Sequence, residues 1–125
     1  MKISEVMNKA VVIEDDINLK EAAKIMSDRN IGSLVVINND KITGIITEHD
    51  ILKNVDSLSG RVSKFMTKTV LSIDKNDTLE HAAEIMAERK IKRIPVLDKG
   101  KLVGIVTATD VIAHLEEIEE DFFME

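Results

Sequence analysis

The apolar positions of this chain form a block that is written twice. Leu19, Ala22, Ala23 and Met26 stand at i, i+3, i+4 and i+7, the spacing that lines one face of an α-helix. Leu79, Ala82, Ala83 and Met86 repeat it. After each helix comes a short run rich in β-branched residues, 31–37 and 91–97, then a polar turn, Asn38-Asn39-Asp40 or Asp98-Lys99-Gly100, then a second run, 42–47 or 102–107. Strand, turn and strand predict a hairpin in each half. A short strand around 11–13 or 70–73 precedes each long helix, and Asp50 and Asp110 open short amphipathic helices. Residues 55–61, with Ser57, Ser59 and Gly60, read as a connector.

The pattern is therefore one β-α-β-β-α unit, repeated, with a short helix leading into each copy. Residues 19–52 superpose on 79–112 with a shift of 60, and thirteen of the 34 positions are identical. Upstream the shift is 59, laying Ile3-Ser4-Glu5-Val6-Met7 over Val62-Ser63-Lys64-Phe65-Met66. The fold class expected is α/β (α+β), with residues 1–60 as the first repeat and 61–125 as the second, ending in an acidic helical tail. Half the chain, about 60 residues, is marginal as an independent domain. The two repeats are expected to pack about a pseudo-twofold axis, covering each other's open sheet face and leaving two related clefts, the kind of concavity in which ligands bind.

Composition narrows the function. The core is aliphatic: the chain has no Trp or Tyr, and its Phe residues are Phe65, Phe122 and Phe123. Single-stranded nucleic acid needs aromatic faces to stack on, and a net charge of −6 is the wrong sign for a duplex, so nucleic-acid binding is disfavoured. The acidity crowds the C-terminus at Glu116, Glu117, Glu119, Glu120, Asp121 and Glu125, and the body before it is close to neutral. Absence of Cys removes disulfides, thiolate catalysis and Cys-ligated metal centres. No apolar run approaches the roughly 18 residues of a membrane span. The start, Met-Lys-Ile-Ser-Glu, holds no signal-like stretch. The expected setting is cytoplasmic, away from membranes.

The candidate chemistry lies in a repeated signature, Gly44-Ile-Ile-Thr47-Glu-His-Asp50 and Gly104-Ile-Val-Thr107-Ala-Thr-Asp110, each copy at a strand-to-helix turn. Thr-x-x-Asp has a structural reading, in which Thr caps a backbone amide and the acid favours the helix start. It also has a ligand reading, in which the turn shows donors to phosphate and the Asp accepts ribose hydroxyls. The two are compatible. Arg89, Lys90, Lys92 and Arg93 form a basic cluster in an acidic chain. Arg89 and Lys90 suit a helix C-terminus equally well, whereas Lys92 and Arg93 lie beyond the helix and favour a phosphate role. His49, His81 and His114 share no metal-ligand spacing. No nucleophile–base pair or phosphate-binding P-loop is found, so no catalysis is expected.

These residues resemble the CBS family, named for the regulatory domain of cystathionine β-synthase. The resemblance rests on Ala22 to Met26 and Ala82 to Met86, on Ile91-Lys-Arg-Ile94-Pro95-Val96, and on the two Gly-to-Asp motifs, and it runs from about Ile3 to Ala113. It implies a paired, non-catalytic Bateman module that senses AMP, ADP, ATP or S-adenosylmethionine and acts on a partner protein, commonly as a homodimer. Any magnesium would arrive with the nucleotide's phosphates. Carried over, Asp110 and Asp50 would hold ribose hydroxyls, and Thr107 and Thr47 would face phosphate or ribose. Backbone near Ile94-Pro95 and Thr69-Val70 would meet adenine, with Lys92 and Arg93 on the phosphate. The copies differ: Val35 stands where the second has Pro95, and Gly32 and Ser33 replace Lys92 and Arg93. The cleft around Asp110 is therefore expected to bind nucleotide more strongly. The alternative is a module with unused clefts that serves structure or dimerisation. The tail reads as a helix extension whose Phe122-Phe123 suits a partner or dimer contact or a frayed end.

Overall fold

The computed structural model describes residues 1–118; most of the acidic tail, with Phe122 and Phe123, lies outside them. The chain runs through β1 (Val12–Glu14), α1 (Leu19–Arg29), β2 (Ser33–Asn38), β3 (Lys41–Thr47) and α2 (Glu48–Lys53), then repeats the series as β4 (Ile73–Asp74), α3 (Leu79–Arg89), β5 (Arg93–Asp98), β6 (Lys101–Thr107) and α4 (Ala108–Ala113). Each copy is thus β-α-β-β-α, as the hydrophobic pattern predicts. The sheets are three-stranded, ordered β1-β2-β3 and β4-β5-β6. In each, the first pairing is parallel and the hairpin antiparallel.

Local chemistry accounts for the elements. Asn18 and Glu21 form a reciprocal capping box at the start of α1, and the Thr78 hydroxyl caps α3 through the His81 amide. The predicted stripes face inward: Leu19, Ala22 and Met26 are buried on α1, and Leu79, Ala82 and Met86 on α3. Both helices end on a left-handed residue, Asn30 (φ 51°) and Lys90 (φ 56°). The following amides, Ile31 and Ile91, donate back to the carbonyls of Met26 and Met86 at 3.0 and 3.1 Å, a Schellman closure. Those amides are consumed by the helix, so the strands start at Ser33 and Arg93, two residues later than the apolar runs suggest. The hairpin turns place Asn39 and Asp40, and Lys99 and Gly100, at positive φ, the geometry of a tight two-residue turn that matches strand twist.

The chain divides into two compact units, residues 11–70 and residues 1–10 with those from 71 onward. These do not coincide with the sequence repeats 1–60 and 61–125, because the lead-in segment of each repeat joins the unit built by the other. In the first unit Val62 is fully buried in a core with Ile13, Leu19, Ala22, Met26, Leu34, Val36 and Ile46, and its amide donates to the Ile17 carbonyl at 2.9 Å. In the second, Ile3 is fully buried with Ile73, Leu79, Ala82, Met86, Ile94, Val96 and Val106. There the amides of Ile3 and Ser4 donate to the carbonyls of Asp77 and Lys75, and Leu79 donates to the Met1 carbonyl, at 2.9, 2.9 and 3.0 Å.

Candidate ligand-binding site

The end of β6 builds the more elaborate of the two signature turns. Thr107 is the N-cap of α4, and Asp110 occupies the third helical position rather than opening the helix itself. The Thr107 amide and hydroxyl donate to Asp110 Oδ2 at 2.8 and 2.9 Å, and the Asp110 amide donates to Thr107 Oγ1 at 3.2 Å. The Ala108 amide donates to the Lys92 carbonyl at 2.8 Å. The amides of Thr107, Ala108 and Asp110 are therefore in use within the unit. The structural reading of Thr-x-x-Asp is the one the turn displays: the cap is made, the Thr107, Ala108 and Asp110 amides are not left to donate to a phosphate as the sequence suggests, and the cap fixes the carboxylate, which remains half-buried.

Strand pairing brings the cations to the same end. Arg93 lies opposite Thr107 in the β5–β6 register, with Lys92 just before it. Lys92 is exposed and Arg93 half-buried, while Ile94 and Pro95 are buried in β5. Backbone pairing thus sets Arg93 beside Thr107 and Lys92 beside Ala108, at the start of the helix that carries Asp110.

The signature glycine has a steric purpose. A Cβ on Gly104 would lie 2.8 Å from the Asn8 carbonyl oxygen and 2.8 Å from Met7 Sδ. The lead-in segment passes directly over this point: the Asn8 amide donates to the Ile105 carbonyl at 2.9 Å, and the Ile105 amide to the Asn8 carbonyl at 2.8 Å. So held, Asn8 sends its side-chain amide to Asp110, with Nδ2 at 3.0 Å from both carboxylate oxygens. Sequence reasoning missed Asn8. The available signal was the upstream repeat, which lays Met7 over Met66 and hence Asn8 over Thr67.

The first repeat builds the same turn with fewer partners. The Thr47 amide and hydroxyl donate to Asp50 Oδ2 at 2.9 and 3.0 Å, and the Asp50 amide donates to Thr47 Oγ1 at 3.4 Å. The Glu48 amide donates to the Gly32 carbonyl at 3.0 Å. A Cβ on Gly44 would meet Met66 Sδ at 2.5 Å and the Thr67 carbonyl oxygen at 2.9 Å. Thr67 bridges Ile45 as Asn8 bridges Ile105. Thr69 and Val70 follow in this unit. The candidate residues therefore fall into two groups, Thr47, Asp50, Thr69 and Val70 in one unit and Lys92, Arg93, Ile94, Pro95, Thr107 and Asp110 in the other.

The histidines stand apart from both turns except for His49, exposed on α2. His81 Nδ1 lies 2.7 Å from Asp77 Oδ2, and this hydrogen bond, with the carboxylate's charge, raises its pKa above the ordinary 6.5. His114 Nδ1 lies 3.7 Å from Glu117 Oε1. Among the described residues no group of three His, Cys, Asp or Glu side chains could hold a metal ion, and no helix is long and apolar enough to cross a membrane.

Comparison with known proteins matches this architecture. The CBS domain family model fits the chain twice, over residues 3–57 and 62–117. The Methanocaldococcus jannaschii protein MJ1232 is 33% identical over 114 residues, which is 90% of this chain and 38% of that protein. A 17.7 kDa protein of Acidianus ambivalens is 34% identical over 122 residues, 94% of this chain and 74% of that one. The chain thus spans well under half of the first relative and about three quarters of the second. Among solved structures, the CBS domain pair of protein MJ0100, in complex with 5′-methylthioadenosine and S-adenosyl-L-methionine, superposes with a TM-score of 0.85 at 30% identity, covering 95% of this chain and 98% of that one. The doubled fold, the doubled signature turn and the doubled family match together make this chain a member of the CBS domain family, built as a tandem pair.

Proposed function

We propose that this chain is a non-catalytic regulatory module that binds an adenine nucleotide or adenosyl ligand (AMP, ADP, ATP or S-adenosylmethionine) at its Thr-x-x-Asp turns. In this reading Asp110 and Asp50 accept ribose hydroxyls, Thr107 and Thr47 face ribose or phosphate, and Lys92 and Arg93 neutralise phosphate. Each unit brings its own backbone to a base, Ile94-Pro95 in the unit of Asp110 and Thr69-Val70 in the unit of Asp50, and aliphatic side chains cover its faces. The observation that carries the reading is the carboxylate of each turn, fixed by a reciprocal cap yet left at the surface, in a chain 30% identical to a pair complexed with adenosyl compounds. Occupancy would act on a partner protein, in a homodimer, by favouring one arrangement of the module; a ligand shifts such a balance only through its differential affinity for the two states. Magnesium would enter with the nucleotide phosphates.

Calorimetric titration with each of the four compounds tests this. At least one should bind, and Asp110→Ala should weaken its binding by about 1–3 kcal/mol, the scale of charge-assisted hydrogen bonds. Silence of all four at millimolar ligand overturns the reading. A second reading, a ligand-free module for dimerisation or protein interaction, draws on one observation: the Asp110 carboxylate is already hydrogen-bonded by Thr107 and Asn8. A stable oligomer by sedimentation, together with calorimetric silence, would favour it.

A further inference from the structure

Asn8 belongs to neither signature turn, yet its side chain lies against both oxygens of the Asp110 carboxylate. Only the amide nitrogen of Asn can donate to a carboxylate, and here it lies 3.0 Å from each oxygen. A carboxylate offers about four acceptor positions. The Thr107 amide and hydroxyl both use Oδ2, which leaves Oδ1 the more open oxygen, and the Asn8 nitrogen sits across both oxygens on the edge that two neighbouring hydroxyls of a sugar would approach. We infer that the Asn8 side-chain amide occupies the vicinal-diol position on Asp110 and must leave when a ribose binds, which makes Asn8 a residue that sets affinity and selectivity at this turn.

The geometry permits the exchange. Asn8 is held through its backbone, by reciprocal bonds to Ile105 at 2.9 and 2.8 Å, while its side chain is exposed and turns about its own torsions without disturbing that bridge. The first repeat supplies the contrast. Thr67 has the same backbone bridge to Ile45, at 2.9 and 3.0 Å, but has no side-chain amide to offer Asp50. The two turns are therefore unequal: an incoming diol meets a competitor at Asp110 and none of that kind at Asp50. Lys92 and Arg93 stand beside the guarded turn, so a ligand carrying an anionic group as well as a diol is the one equipped to displace Asn8.

This inference rests on the adenosyl-binding reading and is tested so that the two fail separately. In an Asp50→Asn background, AMP and 2′,3′-dideoxy-AMP are titrated calorimetrically into the protein, its Asn8→Ala variant and its Asn8→Thr variant, the last carrying the residue of the other repeat. Removing the competitor should tighten AMP by roughly twofold to tenfold, the worth of one net hydrogen bond, in both variants, and leave dideoxy-AMP unchanged. Weaker AMP binding in both variants would mean that Asn8 holds the ligand itself, and an equal gain with dideoxy-AMP would mean that it acts elsewhere than on the diol; either overturns the inference while leaving adenosyl binding intact. If no protein binds either nucleotide, nucleotide recognition at Asp110 fails, and this inference with it.

Discussion

Gly104→Ala tests the link between the signature motif and the lead-in segment. The added methyl carbon would sit 2.8 Å from the Asn8 carbonyl oxygen and 2.8 Å from Met7 Sδ. The thioether is the end of a flexible side chain and can move. The carbonyl cannot do so cheaply, because Asn8 is bonded to Ile105 through both its amide and its carbonyl. Relief requires the segment to retreat by roughly half an ångström, which stretches the 2.8 Å Ile105–Asn8 bond toward the limit of a useful hydrogen bond. Overpacking of this kind costs about 1–3 kcal/mol, and the stretched bond places this site toward the upper end. For a chain of this size, about 2–3 kcal/mol corresponds to a fall in Tm of roughly 8–12 °C. Urea and thermal unfolding followed by circular dichroism measure it. Gly100→Asn is the comparison. Gly100 has φ +81° and nothing near its Cβ position, and Asp40 occupies the matching place in the first hairpin at φ 62°. Because Asn tolerates the left-handed region, this change should cost less than about 1 kcal/mol. If Gly104→Ala unfolds with the wild type, or costs no more than Gly100→Asn, the close approach is not what the glycine serves.

Ile3→Ala should destabilise the protein by about 2–5 kcal/mol, the cost of emptying a fully buried aliphatic site, and hydrogen exchange should show protection falling first in β4, β5 and α3; loss confined to residues 11–70 would contradict the assignment of the lead-in segment. Thr107→Val removes the α4 cap and should cost about 1 kcal/mol in denaturant unfolding. Lys90→Asn relieves a lysine at φ 56° by supplying the residue that ends α1, and should raise stability by about 0.5–1 kcal/mol. Since Asp77 raises the His81 pKa above 6.5, the pair's contribution to stability is fully present below pH 6.5 and is lost as pH rises through the folded value. NMR titration of the His81 ring should show the raised midpoint, which Asp77→Asn should return toward normal.

Sequence alone determined what neighbouring residues decide together. The inward stripes of α1 and α3, the polar hairpin turns and the Thr-x-x-Asp caps were legible because each depends on partners within a few positions along the chain, where backbone period and side-chain reach are fixed; the turns proved one residue shorter than read, since Asn38 and Asp98 pair within the strands. The doubling was legible because identical local rules leave identical patterns. Tertiary structure decided the rest. It moved the strand starts to Ser33 and Arg93, since the Schellman closures claim Ile31 and Ile91. It assigned residues 1–10 to the unit of the second repeat, and Thr69 and Val70 to that of the first. It also set Asn8 on Asp110, a pair 102 positions apart. Nothing in the character of an asparagine names so distant a partner; that contact exists because Ile3 is buried, the lead-in backbone bridges β6, and a glycine leaves room for it to pass.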